Sequence, residues 1–209
     1  MYEREIKERI LRVAKSFRVL VVTGPRQVGK STLLKSLMPE DMTYVTLDDE
    51  KLRQEAKENP RLFLENYKKP LYIDEVQYAP ELFPYIKMIV DNDNSRGQYW
   101  LSGSQTFELM KNVSESLAGR VSILEMSSLS YVEKRGINSK IFNPKNIKCD
   151  FTLTPQEVFE EIYKGGMPEY ISDNLDRNQF FNDYVLTYLE RDVRNLTQVG
   201  DLNRFRKFM

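Results

Sequence analysis

The apolar run VLVVTG, residues 19–24, passes directly into PRQVGKST and then into LLKSLM, and no other feature of the chain restricts its fold as much. Val19, Leu20, Val21 and Val22 follow one another without a polar interruption, which predicts a strand buried on both faces, as in the interior of a parallel sheet. Parallel neighbours need a crossover, and KSTLLKSLM supplies a helical pattern that Pro39 ends. Between strand and helix, Gly24, Gly29, Lys30 and Ser31 fit G-x-x-x-x-G-K-[ST] in full. The glycines allow a loop tight enough for successive backbone N–H groups to surround a polyphosphate at the positive end of the helix dipole. The candidate nucleotide-binding residues are therefore Gly24, Pro25, Arg26, Gln27, Val28, Gly29, Lys30, Ser31 and Thr32. Lys30 is placed to reach the β- and γ-phosphates of ATP, and Ser31 to offer its hydroxyl to Mg2+.

The same alternation recurs downstream. TYVTLDD, KPLYIDEV, QYWLSGS and RVSILEM read as further short strands. KLRQEAKENPRLFLENY, broken at Pro60, ELFPYIKMIVDN and FELMKNVSESL read as the helices between them, and IKERILRVAKSF as an amphipathic helix before the first strand. About five strands with intervening helices predict an α/β, doubly wound, mostly parallel sheet. After Met126 the alternation stops: residues 137–154 are polar and aperiodic, and TPQEVFEEIYKGG is a helix with Thr154 as N-cap and Pro155 at its first position. FFNDYVLTYLERDVRNL forms a later amphipathic helix. The expected organisation is a catalytic core over 1–126, a helical lid region with a polar insertion over 127–175, and the start of a C-terminal helical domain over 176–209. The ending RFRKFM carries no capping signal, which suggests the front part of a longer protein.

Composition narrows the chemistry. There is no histidine and one cysteine, Cys149, so histidine-dependent nucleophilic catalysis, a His/Cys zinc site and an internal disulfide are excluded. What remains is chemistry by carboxylates, amines, hydroxyls, backbone amides and a metal held by oxygen. Lys plus Arg and Asp plus Glu both number 31, so no overall positive field favours nucleic acid or a membrane surface. The charged N-terminus is not a secretory signal and no apolar run approaches the roughly 18 residues of a membrane helix, so the expected home is the cytoplasm.

Further along, LYIDE ends a buried strand with two acids, which is costly unless they face a metal or polar cavity. Asp74 is the candidate Mg2+ ligand and Glu75 the group that polarises the attacking water. In WLSGSQ, Ser102, Ser104 and Gln105 are the choices for a hydrogen bond to the γ-phosphate or the water. Arg120 opens the last predicted strand, where it serves either as charge neutraliser on a transferring phosphoryl group or as an ordinary surface arginine.

GPRQVGKST, LYIDEVQ, WLSGSQ and SLAGR, in that order, resemble the prokaryotic AAA+-type P-loop ATPases with a DEVQ-type Walker B motif, close to the archaeal ATPase and STAND branch. The resemblance covers about residues 1–195 and implies an ASCE-type core with Asp74 on Mg2+, Glu75 as catalytic glutamate and a polar sensor near Ser104. It implies that Arg120 is an arginine finger acting on a neighbour's nucleotide within a homo-oligomer. GGMPEY is similar to the Gly-x-Pro element of the STAND lid, which would bring Pro168 to adenine; a helix-ending glycine pair followed by a turn proline explains the same letters. YLERDVRNL resembles the start of the family's C-terminal region, a domain of unknown function.

The leading expectation is Mg-dependent ATP binding and hydrolysis to ADP, coupled to movement of the lid and C-terminal region. The alternative is a nucleotide-operated switch with slow or assembly-dependent hydrolysis, acting with nucleic acid or a protein partner. A P-loop kinase is disfavoured, because the adjacent Asp74 and Glu75 suit water activation and no arginine-rich lid is visible.

Overall fold

The computed structural model describes residues 2–104, 107–137, 153–173 and 175–189. Cys149, Gln105, most of the polar stretch after 137 and most of YLERDVRNL lie outside the described residues. The chain divides into two compact units, 1–152 and 153–209.

The first unit is a five-stranded sheet built from β1 (Val19–Gly24), β2 (Thr43–Thr46), β3 (Leu71–Asp74), β4 (Tyr99–Ser104) and β5 (Val121–Glu125). Their order is β2-β3-β4-β1-β5, and every pairing is parallel. Helices α1 (Lys7–Ser16), α2 (Lys30–Leu37), α3 (Glu50–Glu58), α4 (Pro60–Asn66), α5 (Leu82–Asn92) and α6 (Phe107–Leu117) precede or connect the strands, as the alternation predicts. Pro60, expected to interrupt a helix, opens α4, where its missing N–H costs no hydrogen bond. Asp49 caps α3 by accepting from the amides of Lys51 (2.9 Å) and Leu52 (3.2 Å), which explains why β2 gives way to helix so abruptly.

Burial follows from sheet position. β1 and β4 lie inside the sheet, and every residue of both is buried. Edge strand β5 is buried only at Leu124. On one face, Leu82, Phe83, Ile86 and Val90 of α5 pack with Leu71, Ile73 and Leu101 into one core cluster. Two short helices escape the periodicity argument. α7 (Tyr131–Arg135) carries a capping box from Ser130 and Glu133, and α9 (Pro168–Asp173) begins at Pro168. Five or six residues are too few to display a helical repeat.

The second unit contains α8 (Pro155–Lys164), α9 and α10 (Arg177–Tyr184), the last followed by a wider turn of helix over Val185–Leu189. Thr154 caps α8 with Pro155 at its first position, as expected. Tyr170, Phe180 and Phe181 form an aromatic cluster with ring centroids 5.3–5.6 Å apart. The Arg177 guanidinium lies 3.9 Å from the centroid of Tyr163. Among the described residues no helix is long and apolar enough to cross a membrane.

Gly24 is the joint between sheet and loop. Its φ of +148° is rarely adopted by other residues, and a Cβ there would lie 2.1 Å from the backbone oxygen of Met126, just past β5. Met126 in turn donates its N–H to Thr23 O at 2.8 Å, so the two strands leave the sheet in close backbone contact. Gly24→Ala should therefore destabilise the chain by at least about 1–3 kcal/mol, since backbone rather than a side chain must move. Urea unfolding checks this, with loss of stability expected even without nucleotide.

Candidate functional site

At the carboxyl ends of β1 and β3 the predicted motifs converge. The loop after Gly24 closes onto α2 through Gly29, which is left-handed at φ 91° and stands as the N-cap. Val28 is fully buried, whereas Pro25 and Thr32 are exposed. Lys30 is buried, and its Nζ turns back to donate to the carbonyls of Gly24 (3.0 Å) and Pro25 (2.7 Å). The amine thus holds the loop that a phosphate chain would be held by.

Ser31 and Asp74, separated by 43 residues, meet at 3.0 Å, the hydroxyl donating to Asp74 Oδ1. Asp74 is only 5% exposed, and its carboxylate is saturated from several elements. Oδ1 also accepts from Ser102 Oγ and from the Glu75 amide (3.2 Å), and Oδ2 accepts from the Tyr44 hydroxyl at 3.3 Å. Behind them the Tyr72 hydroxyl pairs with Ser102 Oγ at 2.8 Å. Burial, with the nearby Asp74 charge, pushes the Tyr72 phenol far above its ordinary range, so it stays protonated. Tyr44 and Tyr72 also touch ring to ring, with centroids 5.2 Å apart.

Glu75 follows directly, with its backbone in the left-handed region at φ 56° and ψ 41°. A non-glycine residue held there carries local strain, a condition that clusters at functional sites. Its carboxyl is half-buried and accepts from Gln77 Nε2. Burial raises its pKa, opposed by the Gln77 hydrogen bond; the Asp74 charge raises it further and Lys30 lowers it. The result is a carboxylate more basic than one in water.

The serines of WLSGSQ part company. Ser102 belongs to the Asp74 network, whereas Ser104, which pairs with Gly24 across the sheet, has a buried Oγ with no hydrogen-bond partner among the described residues. Ser104 is thus the one of the two left with an uncommitted hydroxyl beside the loop.

Arg120 is not brought to this edge. It precedes β5 at the amino end of the sheet, where its guanidinium grips Asp91 with two bonds of 2.6 and 3.0 Å and donates to Ala118 O at 2.7 Å. Arg18 shares Asp91 at 3.6 Å. Pro168 opens α9 in the second unit.

Sequence reasoning passed over one support of the loop. Arg4, 8% exposed, donates to Val28 O (2.8 Å), to Ser127 O (2.7 Å) and to the Glu133 carboxylate (3.1 Å). In the sequence Arg4 sits in a run of charges that reads as a solvated helix start. Its contacts with Val28, Ser127 and Glu133, up to 129 residues away, distinguish it.

The donor set suits a small hard cation. Ser31 and Asp74 present two facing oxygens, and no cluster of three or more His, Cys, Asp or Glu side chains exists among the described residues. That matches Mg2+, which takes one or two protein oxygens and fills its remaining positions with phosphate and water.

A family model described as an AAA domain matches residues 16–134, and a model of a domain of unknown function matches residues 155–209. Two curated proteins, both named only as uncharacterized, Rv2008c of Mycobacterium tuberculosis and Mb2031c of Mycobacterium bovis, are each 30% identical over 197 residues. The match takes in 92% of this chain but 40% of theirs, so the chain spans well under half the length of these relatives. Among solved structures, a DNA replication initiation factor aligns at TM-score 0.48 and 15% identity, over 90% of this chain and 62% of that one. Thermotoga maritima RuvB aligns at TM-score 0.43 and 17% identity, over 65% and 49%. With the family match spanning the sheet, the loop and the acid pair, the chain belongs to the AAA domain family of nucleotide-binding P-loop proteins.

Proposed function

We propose that the chain binds Mg-ATP at the loop of residues 24–32 and hydrolyses it to ADP and phosphate. The observation that carries this reading is the meeting of Ser31 and Asp74 at 3.0 Å, beside Lys30 and with Glu75 next in the chain. In this reading Lys30 exchanges the carbonyls of Gly24 and Pro25 for β- and γ-phosphate oxygens, and the loop amides and Thr32 complete the contacts. Ser31 and Asp74 hold Mg2+, which supplies charge neutralisation on the phosphate oxygens. Glu75 takes a proton from water as the water oxygen bonds to the γ-phosphorus and the bond to the bridging oxygen of ADP breaks. Its raised pKa suits that task. Ser104 donates to the γ-phosphate or orients the water. In this reading turnover is coupled to movement of the lid and C-terminal region.

A second reading, a nucleotide-operated switch with assembly-dependent turnover, is favoured by the position of Arg120. Its pairing with Asp91 at the amino end of the sheet keeps it from its own chain's loop. As a finger it acts on the nucleotide of a neighbouring copy, so turnover rises with protein concentration.

Two measurements test the proposal. Saturating ATP with Mg2+ should raise Tm by several degrees, since ligand at 100 times Kd adds about 2.7 kcal/mol, and Lys30→Ala should lose most of that shift. Glu75→Gln should keep the shift while turnover falls by about 100-fold or more. Turnover in Glu75→Gln equal to that of the unmodified chain would remove Glu75 as base, and an undiminished shift in Lys30→Ala would remove the loop as the site.

A further inference from the structure

Gln77 lies two residues past Glu75, in the short turn of tighter helix Val76–Tyr78, and folds back to donate from Nε2 to Glu75 Oε2. It is the side chain that donates to this carboxylate among the described residues. The opposite end of the amide, Oε1, is buried without a hydrogen-bond partner there. That oxygen rests against Gly103 of β4, where an added Cβ would stand 2.2 Å away. Gly103 itself is buried in the strand and its φ is not left-handed, so backbone freedom does not account for glycine at this position. What accounts for it is space: the Gln77 amide fills most of it, and the Leu109 side chain would stand 3.2 Å from the same Cβ.

We infer that Gln77 is a positioning residue for the Glu75 carboxylate, and that Gly103 is the gap which lets it lie there. The inference deepens the proposed hydrolysis and rests on the reading of Glu75 as its base. Glu75 needs such a partner because its left-handed backbone takes the side chain out of the direction β3 would give it. Turned about, the amide would set its carbonyl oxygen against the carboxylate, so only the observed orientation attracts. One oxygen of Glu75 is thereby fixed and the other kept for water. A buried, unpartnered Oε1 costs free energy, and a site that retains this cost gains orientation in exchange. Because Oε1 is covered by β4, Gln77 acts through Glu75 and not on the nucleotide.

The test compares Gln77→Ala, Gly103→Ala, the double variant and Glu75→Gln in the full chain, reading ATP turnover, Tm and the ATP-induced Tm shift. Gln77→Ala should keep the shift and KM within about twofold while kcat falls about 10- to 100-fold. Gly103→Ala should lower kcat likewise, since its methyl displaces the amide. In the double variant the loss should match the larger single loss, because no amide is left to displace. Gln77→Ala trims a side chain without touching the strand, so it decides the role of Gln77 even where Gly103→Ala lowers Tm. If Gln77→Ala turns over ATP like the unmodified chain while Glu75→Gln is inactive, the positioning role is overturned and the base reading stands. Additive losses in the double variant overturn the assignment of Gly103. Glu75→Gln as active as the unmodified chain overturns the base reading, and the inference with it.

Discussion

A carboxylate almost sealed from water at the end of a strand sets the terms for the rest of this site. Asp74 is 5% exposed, and an unpaired charge at that depth would be expensive. The chain answers with four donors. Tyr44 comes from β2, Ser102 from β4, Ser31 from the first turn of α2, and the last is the amide of Glu75. Three of the four come from distant parts of the chain, so the network is satisfied only when β3 lies between β2 and β4 with the start of α2 brought to its end. Charge-assisted hydrogen bonds of this kind are stronger than neutral ones, and they converge where β3 delivers the acid pair. The strand order therefore fixes the chemistry: moving β4 away from β3 would take both Ser102 and Gly103 out of reach.

The loop is held from two sides by unlike means. On the inside, Gly24 lets the backbone of Met126 approach within a distance no side chain would allow. On the outside, Arg4 grips the carbonyl of Val28 while its charge is balanced by Glu133. Both members of that ion pair are buried, and such a pair persists only where further hydrogen bonds satisfy the remaining donors and acceptors. Here they do. Arg4 also reaches Ser127 O, and Glu133 accepts from the amides of Glu5 and Ser130. The N-terminal segment, the loop and α7 are thus tied at one point.

Features carried by local pattern were legible in the sequence. A strand of consecutive apolar residues, a glycine loop and a helix can be read within about 20 residues, and their repetition gave the parallel sheet. The chemistry that depends on long-range meetings was legible only in part. Asp74 and Ser31 could be named because their motifs are local, but Tyr44 carries no signal beyond being an aromatic in a strand. Ser102 and Ser104 looked interchangeable in WLSGSQ, and the fold separates them: one meets Asp74, and the other's hydroxyl has no hydrogen-bond partner among the described residues. Gln77 appeared only as a letter in a motif string. Its fold back onto Glu75 follows from a tight turn that no periodicity announces.

Sheet direction also decides what Arg120 can do. In a parallel sheet all strand starts lie at one edge and all ends at the other, and β1 and β5 run in register from Val19 beside Val121 to Thr23 beside Glu125. Arg120 precedes that register and the loop follows it, so about 20 Å of strand separates their backbones. An arginine at the start of β5 therefore faces away from the nucleotide edge of its own chain. Its present partner, Asp91, is a surface carboxylate that Arg18 also approaches, so the pair does not rest on Arg120 alone. Solvent screens such pairs, and the attraction lost on parting them is small. A guanidinium held this way is kept in place at the surface by an ion pair that solvent weakens. The geometry thus sets Arg120 at the amino end of the sheet, away from its own chain's loop, and a role between copies belongs to the second reading proposed above.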